Sequence, residues 1–590
     1  MHRRRASGNG SSAPVPNRMR RWDRLELALG LALTVVSLAA RLVAYLHAGG
    51  LWRDEVHSVN MASQSDYFGT WTNDSFPILW LLALRGWIAL GLGETDTALR
   101  GIGLVCGASH VAAAWWTGRQ LGARVPWVLL MLLCFQPTLI VYGDEVRGYG
   151  LGALTQLLLV GCLWRALKRP TWRRFVVLQI AALLAVQSLY ANSFMLLAAC
   201  MGGGLVCLRR RDGRALIGIA LVGFVSAVSV APYVLYLFPK TSEWTVVVRQ
   251  DVPWSWQLAV FGKALGAAGP AGCLAWGAAA LFALAAAVWV FLRGKRVAFP
   301  SNHRDLAVFL LGNALVGTVG FWWYIRFVHV PTQVWYYLPF MTLLAVTVEM
   351  GAVLGATAKP TYSIARLAAV TLVFGGVLGH TWSALAFRFT NVDLVVERLD
   401  REARRDDLIV IHPWYVGLTF ERYYRGEATA MNFPDVEKER KGHGGYLEMK
   451  RKMELGDPIR GELERFEQTL RAGGRIWLVG RFEFMPRGAR PLVLPPAPHP
   501  QYGWNEGIYG SSWSQQAAYL LQSHAGAIRE VPLPAPGRVN PLENVPLLLI
   551  EGWREQAMRG TWRVQRRDRP YTGRSRTRTA YSDAPRSRGA

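Results

Sequence analysis

Between residues 25 and 388 the chain is a succession of apolar stretches, each about 18–25 residues long, with short clusters of Lys and Arg between them. A helix of about 20 residues matches the hydrocarbon thickness of a bilayer, and only a helix or a closed barrel satisfies its own backbone there. Runs of this length, repeated this often, point to a polytopic helical membrane protein. Lys and Arg outnumber Asp and Glu by 66 to 40, a formal net charge of +26 that would also suit a nucleic-acid binder. Much of the excess sits in the clusters between apolar runs, and no motif of a nucleic-acid fold is present, so the expected partner is the bilayer and not nucleic acid. All six cysteines (Cys106, Cys134, Cys162, Cys200, Cys207, Cys273) lie in or beside apolar runs, without the spacing of a disulfide framework or a zinc site.

Charge then orders the spans. Residues 1–24 are basic and rich in Gly, Ser and Pro, and read as a disordered cytoplasmic N-terminus. The apolar run that follows is too long for a signal-peptide core and lacks a small-residue cleavage site, so 25–48 is expected to be a retained first helix. Further spans are expected at 98–118, 125–142, 148–166, 175–190, 192–208, 214–238, 271–292, 304–327, 336–357 and 366–388. That makes about eleven, with Lys and Arg at alternate turns as the positive-inside rule requires. The expected setting is a cell (inner) membrane, with everything after residue 388 extracytoplasmic.

The first outer loop, 49–97, contains FPILWLLALRGWIALGL with Arg85 inside it. A central Arg disfavours a span, so 76–92 is expected to lie in the interface, alongside a shorter helix near 55–66; 253–269 resembles it. After residue 388 the composition changes. RRDDLIVIHPWY reads as a strand, GELERFEQTLRAGGRIWLVGRF as helix, turn and strand, SSWSQQAAYLLQSHAGAIREVPL as helix and strand, and NVPLLLIEGWR as a last strand. This alternation implies an extracytoplasmic α/β domain over 389–565, followed by a basic flexible tail at 566–590.

Two acidic pairs stand just beyond apolar runs, Asp54-Glu55 in LWRDEVHSVN and Asp144-Glu145 in VYGDEVRGYG. The span order puts both on one side, where they can share one site. Carboxylates near a bilayer are costly unless they face water, a partner or a substrate. Partial desolvation raises a carboxylate's pKa, which suits a general base, and Asp54 is the candidate. Two acidic pairs also offer oxygen ligands, Asp54 and Asp144 among them, to a divalent metal (Mg, Mn or Zn), although no spacing demands one.

The order of these features resembles the GT-C glycosyltransferases that use a polyprenyl-phosphate sugar, in the branch with protein O-mannosyltransferases and the aminoarabinose transferase. The likeness runs over residues 25–345. It is carried by Asp54-Glu55, Pro77 in SFPILWLL, Arg100 in GETDTALRGIGLVCG, Asp144, Glu145, Arg147 and Tyr149 in YGDEVRGYG, and Tyr336, Tyr337 and Pro339 in VWYYLPFMTLLA. Where relatives commonly have Pro-Pro preceded by His or Lys, this chain has Ser75-Phe76-Pro77.

The resemblance implies a GT-C-like transmembrane domain over 25–388 and an inverting transfer of a sugar from a polyprenyl-phosphate donor. The acceptor is a glycan, lipid or protein at the outer face of the membrane. Asp54 would be the base, with Glu55 orienting it. Asp144 and Glu145 would position the acceptor or a metal. Donor-phosphate contacts are expected among Arg100, Arg147, Lys240 and Arg326, although a salt bridge from Arg147 to Asp144 or Glu145 is the plainer assignment. Tyr336 and Tyr337 would line the donor groove. Two other classes also fit a polytopic chain: a secondary transporter, which would show repeated halves and broken helices, and a non-catalytic envelope scaffold.

Overall fold

The computed structural model describes residues 21–65, 76–266, 270–293, 301–355, 378–379, 381–436, 444–486, 488–534 and 537–555. Among them, eight helices are long and apolar enough to cross a membrane: Arg24–His47, Asp96–Leu121, Tyr149–Lys168, Asn192–Arg210, Gly213–Leu237, Cys273–Arg293, Asn302–Val328 and Val334–Gly355. Tyr149–Lys168 and Val334–Gly355 are buried over most of their length and form the centre of the bundle. Gly213–Leu237 and Cys273–Arg293 instead expose Ile217, Phe224, Leu274 and Leu281, as an acyl-facing edge does. Small residues let the helices approach closely. A Cβ on Gly312 would stand 2.9 Å from the Cα of Gly202, and one on Gly351 2.4 Å from the Cα of Ala283.

Three of the expected spans need correction or fall outside this set. The run 125–142 is not one helix but two, ending at Cys134 and restarting at Pro137–Gly143. Pro137 has no N–H and cannot continue a helix, while the Gln136 side chain accepts from Leu139 N (3.0 Å) and caps a new one. Trp172–Ser188 forms an apolar helix of 17 residues. The span expected at 366–388 lies mostly outside the described residues, and its last two residues form a short strand, β1 (Phe387–Arg388). Residues 78–92 form a short apolar helix with a left-handed glycine (Gly91) near its end. Its Arg85 donates to the carbonyl of Gln64 (2.6 Å), just past the helix Arg53–Ala62.

The C-terminal part is built on a five-stranded sheet. β2 (Leu408–His412), β3 (Thr429–Asn432), β4 (Ile476–Gly480) and β5 (Ala525–Val531) point one way, and β7 (Leu547–Trp553) runs antiparallel to its neighbours β4 and β5, in the order β3-β2-β4-β7-β5. The pleat sends alternate residues to opposite faces. Leu408, Val410, Ile476 and Leu478 join one core, while Ile409, Ile411, Trp477 and Val479 join the other. Burial on both faces explains the unbroken apolar runs LIVI, IWLV and LLLI. The helices Arg460–Arg471 and Glu506–His524 precede β4 and β5 in the order read from the sequence. The linker is pinned by β1 pairing with β6 (Arg538–Val539) and by Phe389 N donating to Ala48 O (2.9 Å).

Candidate active site

The site is organised by the short helix Arg53–Ala62, which follows the first span. Its Glu55 is fully buried and accepts from Arg100 Nη2 (2.6 Å), Val146 N (2.9 Å) and Trp52 N (3.3 Å). One carboxylate thus buckles the helix to the span Asp96–Leu121 and to the loop 144–148. That loop can come close because the span presents glycines one turn apart. A Cβ on Gly103 would stand 1.9 Å from Asp144 O, and one on Gly107 would meet both Arg41 and the Asp144 carboxylate. Arg147 in turn donates to Asp54 O and Ser58 Oγ (both 3.2 Å) and lies over the Phe76 ring at 4.5 Å. The two acidic pairs therefore stand in one place, although 89–93 residues separate the bonded partners in sequence.

The four carboxylates have different fates. Asp144 is largely buried and paired with Arg41 of the first span. Glu145 is fully buried beside the Trp52 indole. Burial, reinforced by the charge of Glu55, holds its pKa well above the ordinary glutamate value. Glu55 is occupied as described. Asp54 alone keeps a partly open side chain, about a quarter exposed, with Arg53 Nε 3.2 Å from Oδ1. Burial pushes its pKa up, but the guanidiniums of Arg53 and Arg147 outweigh that and hold it below the usual aspartate value. The raised pKa expected for this base is thereby corrected: two cations win over desolvation. His57, three residues on, is driven down to about 4 by burial and Arg147, so it is neutral at pH 7.

Aromatic rings complete the surroundings. Tyr149 packs on Phe76 (4.9 Å between centroids) and on Tyr336 (6.4 Å), and Tyr336 lies within electrostatic reach of Asp54, Arg147 and Arg53. The sheet domain closes over the opposite side. Arg53 lies 4.2 Å from the centre of the Tyr415 ring, Trp414 donates to Glu506 (2.9 Å), and Tyr446 feels the charges of Arg53 and Asp54.

Several expected site residues are placed elsewhere. Arg100 is buried and donates to Glu55 and the Gly50 carbonyl (2.8 Å). Arg326 binds Val252 O (2.7 Å) and Asp251 (2.8 Å). Tyr337 is buried among Phe261 and Phe321, with its hydroxyl on Gln257 O (3.0 Å) and Thr332 (2.9 Å). Lys240 belongs to the helix Phe238–Thr245, but its side chain lies outside the described set. Among the described residues no group of three His, Cys, Asp or Glu could hold a metal. Asp144 is taken by Arg41 and Asp54 sits between two guanidiniums, so the proposed donor pair does not fit a cation.

Arg53 is marked in the sequence only by its adjacency to Asp54. Tyr415 carries no sequence mark at all, and its place beside Arg53 depends on the docking of the sheet domain.

No protein-family model and no curated protein matches this chain. In fold the chain is similar to three solved structures. The Archaeoglobus fulgidus oligosaccharyltransferase in the apo form is 12% identical with TM-score 0.49, covering 91% of this chain and 75% of that one. ArnT from Cupriavidus metallidurans bound to undecaprenyl phosphate is 13% identical with TM-score 0.44, covering 78% and 92%. Arabinosyltransferase EmbB from Mycobacterium smegmatis is 14% identical with TM-score 0.37; 56% of this chain is covered, which spans only 30% of that protein's length. Likenesses this distant carry no argument about activity, and the functional reading rests on the site's own geometry.

Proposed function

We propose that the protein is an integral membrane glycosyltransferase that moves a sugar from a polyprenyl-phosphate carrier to a hydroxyl acceptor at the outer face of the cytoplasmic membrane. One observation carries the reading. Of the four carboxylates gathered at the site, Asp54 alone is both partly open and held in its ionised form, between Arg53 and Arg147. An ionised carboxylate accepts a proton, and guanidiniums beside it stabilise a departing phosphate. In a direct displacement the acceptor oxygen bonds to the anomeric carbon as the carbon–oxygen bond to the lipid phosphate breaks. The acceptor proton passes to Asp54, and the phosphate leaves with the electron pair towards Arg53 and Arg147. A single base with no second carboxylate free to act as nucleophile favours inversion. The sequence resemblance to GT-C enzymes points the same way.

The test is release of polyprenyl phosphate by the purified protein in liposomes, across a panel of polyprenyl-phosphate pentoses and hexoses with membrane-lipid and glycan acceptors. Asp54→Asn is expected to lower the rate about 10²–10⁴-fold with expression and donor binding intact. Unchanged release by the variant, or no release from any donor by the wild type, would remove the reading.

A further inference from the structure

The helix that bears Asp54 caps only part of its own start: Glu55, in its first turn, accepts from Trp52 N (3.3 Å), while the N–H groups of Leu51 and Arg53 on either side find no acceptor within the helix. Its N-cap residue is Trp52, whose indole makes no capping hydrogen bond. The first N–H groups of a helix have no intrahelical acceptor and need one from elsewhere. Arg53 N donates to Glu543 Oε1 at 2.8 Å, across 490 residues of sequence. Two residues earlier, Leu51 N donates to the hydroxyl of Tyr423 at 2.6 Å and, at a longer 3.3 Å, to Asp96 at the start of the next span, to which the Tyr423 hydroxyl also donates (2.5 Å). Glu543 and Tyr423, the acceptors of the two shorter bonds, belong to the C-terminal domain.

They are also firmly held. Glu543 is fully buried, accepts from the Thr419 hydroxyl (3.0 Å), and closes a turn through its own N–H to Asn540 O (3.0 Å) while its carbonyl receives Asn391 N (3.2 Å). Tyr423 ends the helix Gly417–Tyr423, which carries Thr419 as well. An acidic oxygen at the first N–H also meets the positive end of the helix dipole.

We infer that Glu543 and Tyr423 are positioning residues, and that the C-terminal domain sets the direction of Asp54 by supplying the backbone acceptors that its helix start lacks. The inference rests on Asp54 being the base. It makes the soluble domain part of the catalytic apparatus without touching substrate. Removing either acceptor leaves the helix start free to fray, so that Asp54 is misdirected in a fraction of molecules while donor contacts on the spans persist.

Two readouts test it on the full-length protein in liposomes. Hydrogen exchange of peptides covering 51–56 is expected to quicken about 3–30-fold in Glu543→Ala, the usual range for a lost N-cap, and also in Tyr423→Phe. Strands β2 and β4 should stay protected in both. Steady-state transfer from a polyprenyl-phosphate sugar should lose kcat by a similar factor with KM for the donor unchanged, and Glu543→Gln, which keeps an oxygen acceptor, should restore both. Tyr423→Phe removes no charge and creates no buried cavity, so it decides the matter if Glu543→Ala fails to fold. Unaltered exchange at 51–56 in Tyr423→Phe, or failure of Glu543→Gln to restore it, overturns the inference. Exchange is measured without substrate, so that result stands apart from the Asp54→Asn test of the activity itself.

Discussion

Asp54 titrates low because Arg53 and Arg147 outweigh its burial. An ordinary Asp ionises at about 3.9, so Asp54, as the proposed base, stays charged to lower pH than that, and the acidic limb of kcat/KM is expected there. Arg147→Gln removes one of the two cations and leaves burial in place. The limb should then move to higher pH, visible in a pH–rate profile even if the rate itself drops through loss of a phosphate contact. An acidic limb that stays put would mean that Asp54 is not the titrating group. The same sign applies to stability: a depressed carboxylate contributes above its unfolded pKa and loses that contribution as pH falls through the folded one. Glu55 differs in kind, being spent on Arg100 and two backbone N–H groups. Removing one partner of a buried ion pair strands the other, so Arg100→Ala should destabilise the protein by about 3–5 kcal/mol. The double variant Glu55→Gln/Arg100→Leu should recover part of this, as measured by thermal unfolding in detergent.

At the scale of elements, a recurring device is a helix start capped by a distant carboxylate. Glu349, inside the span Val334–Gly355, accepts from Val128 N (3.0 Å) and Leu129 N (3.1 Å), where the broken run 127–143 begins. Glu543 does the same for the helix of Asp54. Broken or short helices at membrane depth survive only where protein satisfies their ends. Glycine plays the complementary part. With Asp144 O 1.9 Å from where a Cβ would stand, Gly103→Ala must displace the loop 144–148 or the span. Loss of the Arg147–Ser58 and Glu55–Val146 contacts should follow, and transfer and thermal stability should both fall. The apolar periods in the sequence showed the spans and the strands, but not the break at Phe135-Gln136. Hydropathy averages over about 19 residues, whereas the break depends on one proline and one glutamine.

Across the whole molecule, the soluble domain and the membrane bundle act as one unit through Arg53–Glu543, Leu51–Tyr423 and the Arg422–Asp96 ion pair (2.6 Å). Burial lifts the Glu543 pKa from 4.5 to about 7. Between those values the folded state holds a proton that the unfolded chain has released, so stability falls as pH rises through the window. Glu543→Gln abolishes that slope. Thermal unfolding should show wild type and variant diverging from pH 4.5 to about 7, with the variant the more stable at the upper end.

By itself the sequence determined the class of the protein and singled out the four acidic residues that the fold brings together. Bilayer thickness, the two-residue period of a strand and the cost of a carboxylate near lipid are local rules written into short stretches of chain. Tertiary structure alone decided which carboxylate remains open, which arginine is engaged by Glu55, and what holds the first turn of the Asp54 helix. Those outcomes depend on burial and on charges brought within a few ångströms from sites up to 490 residues apart. No local pattern encodes that proximity.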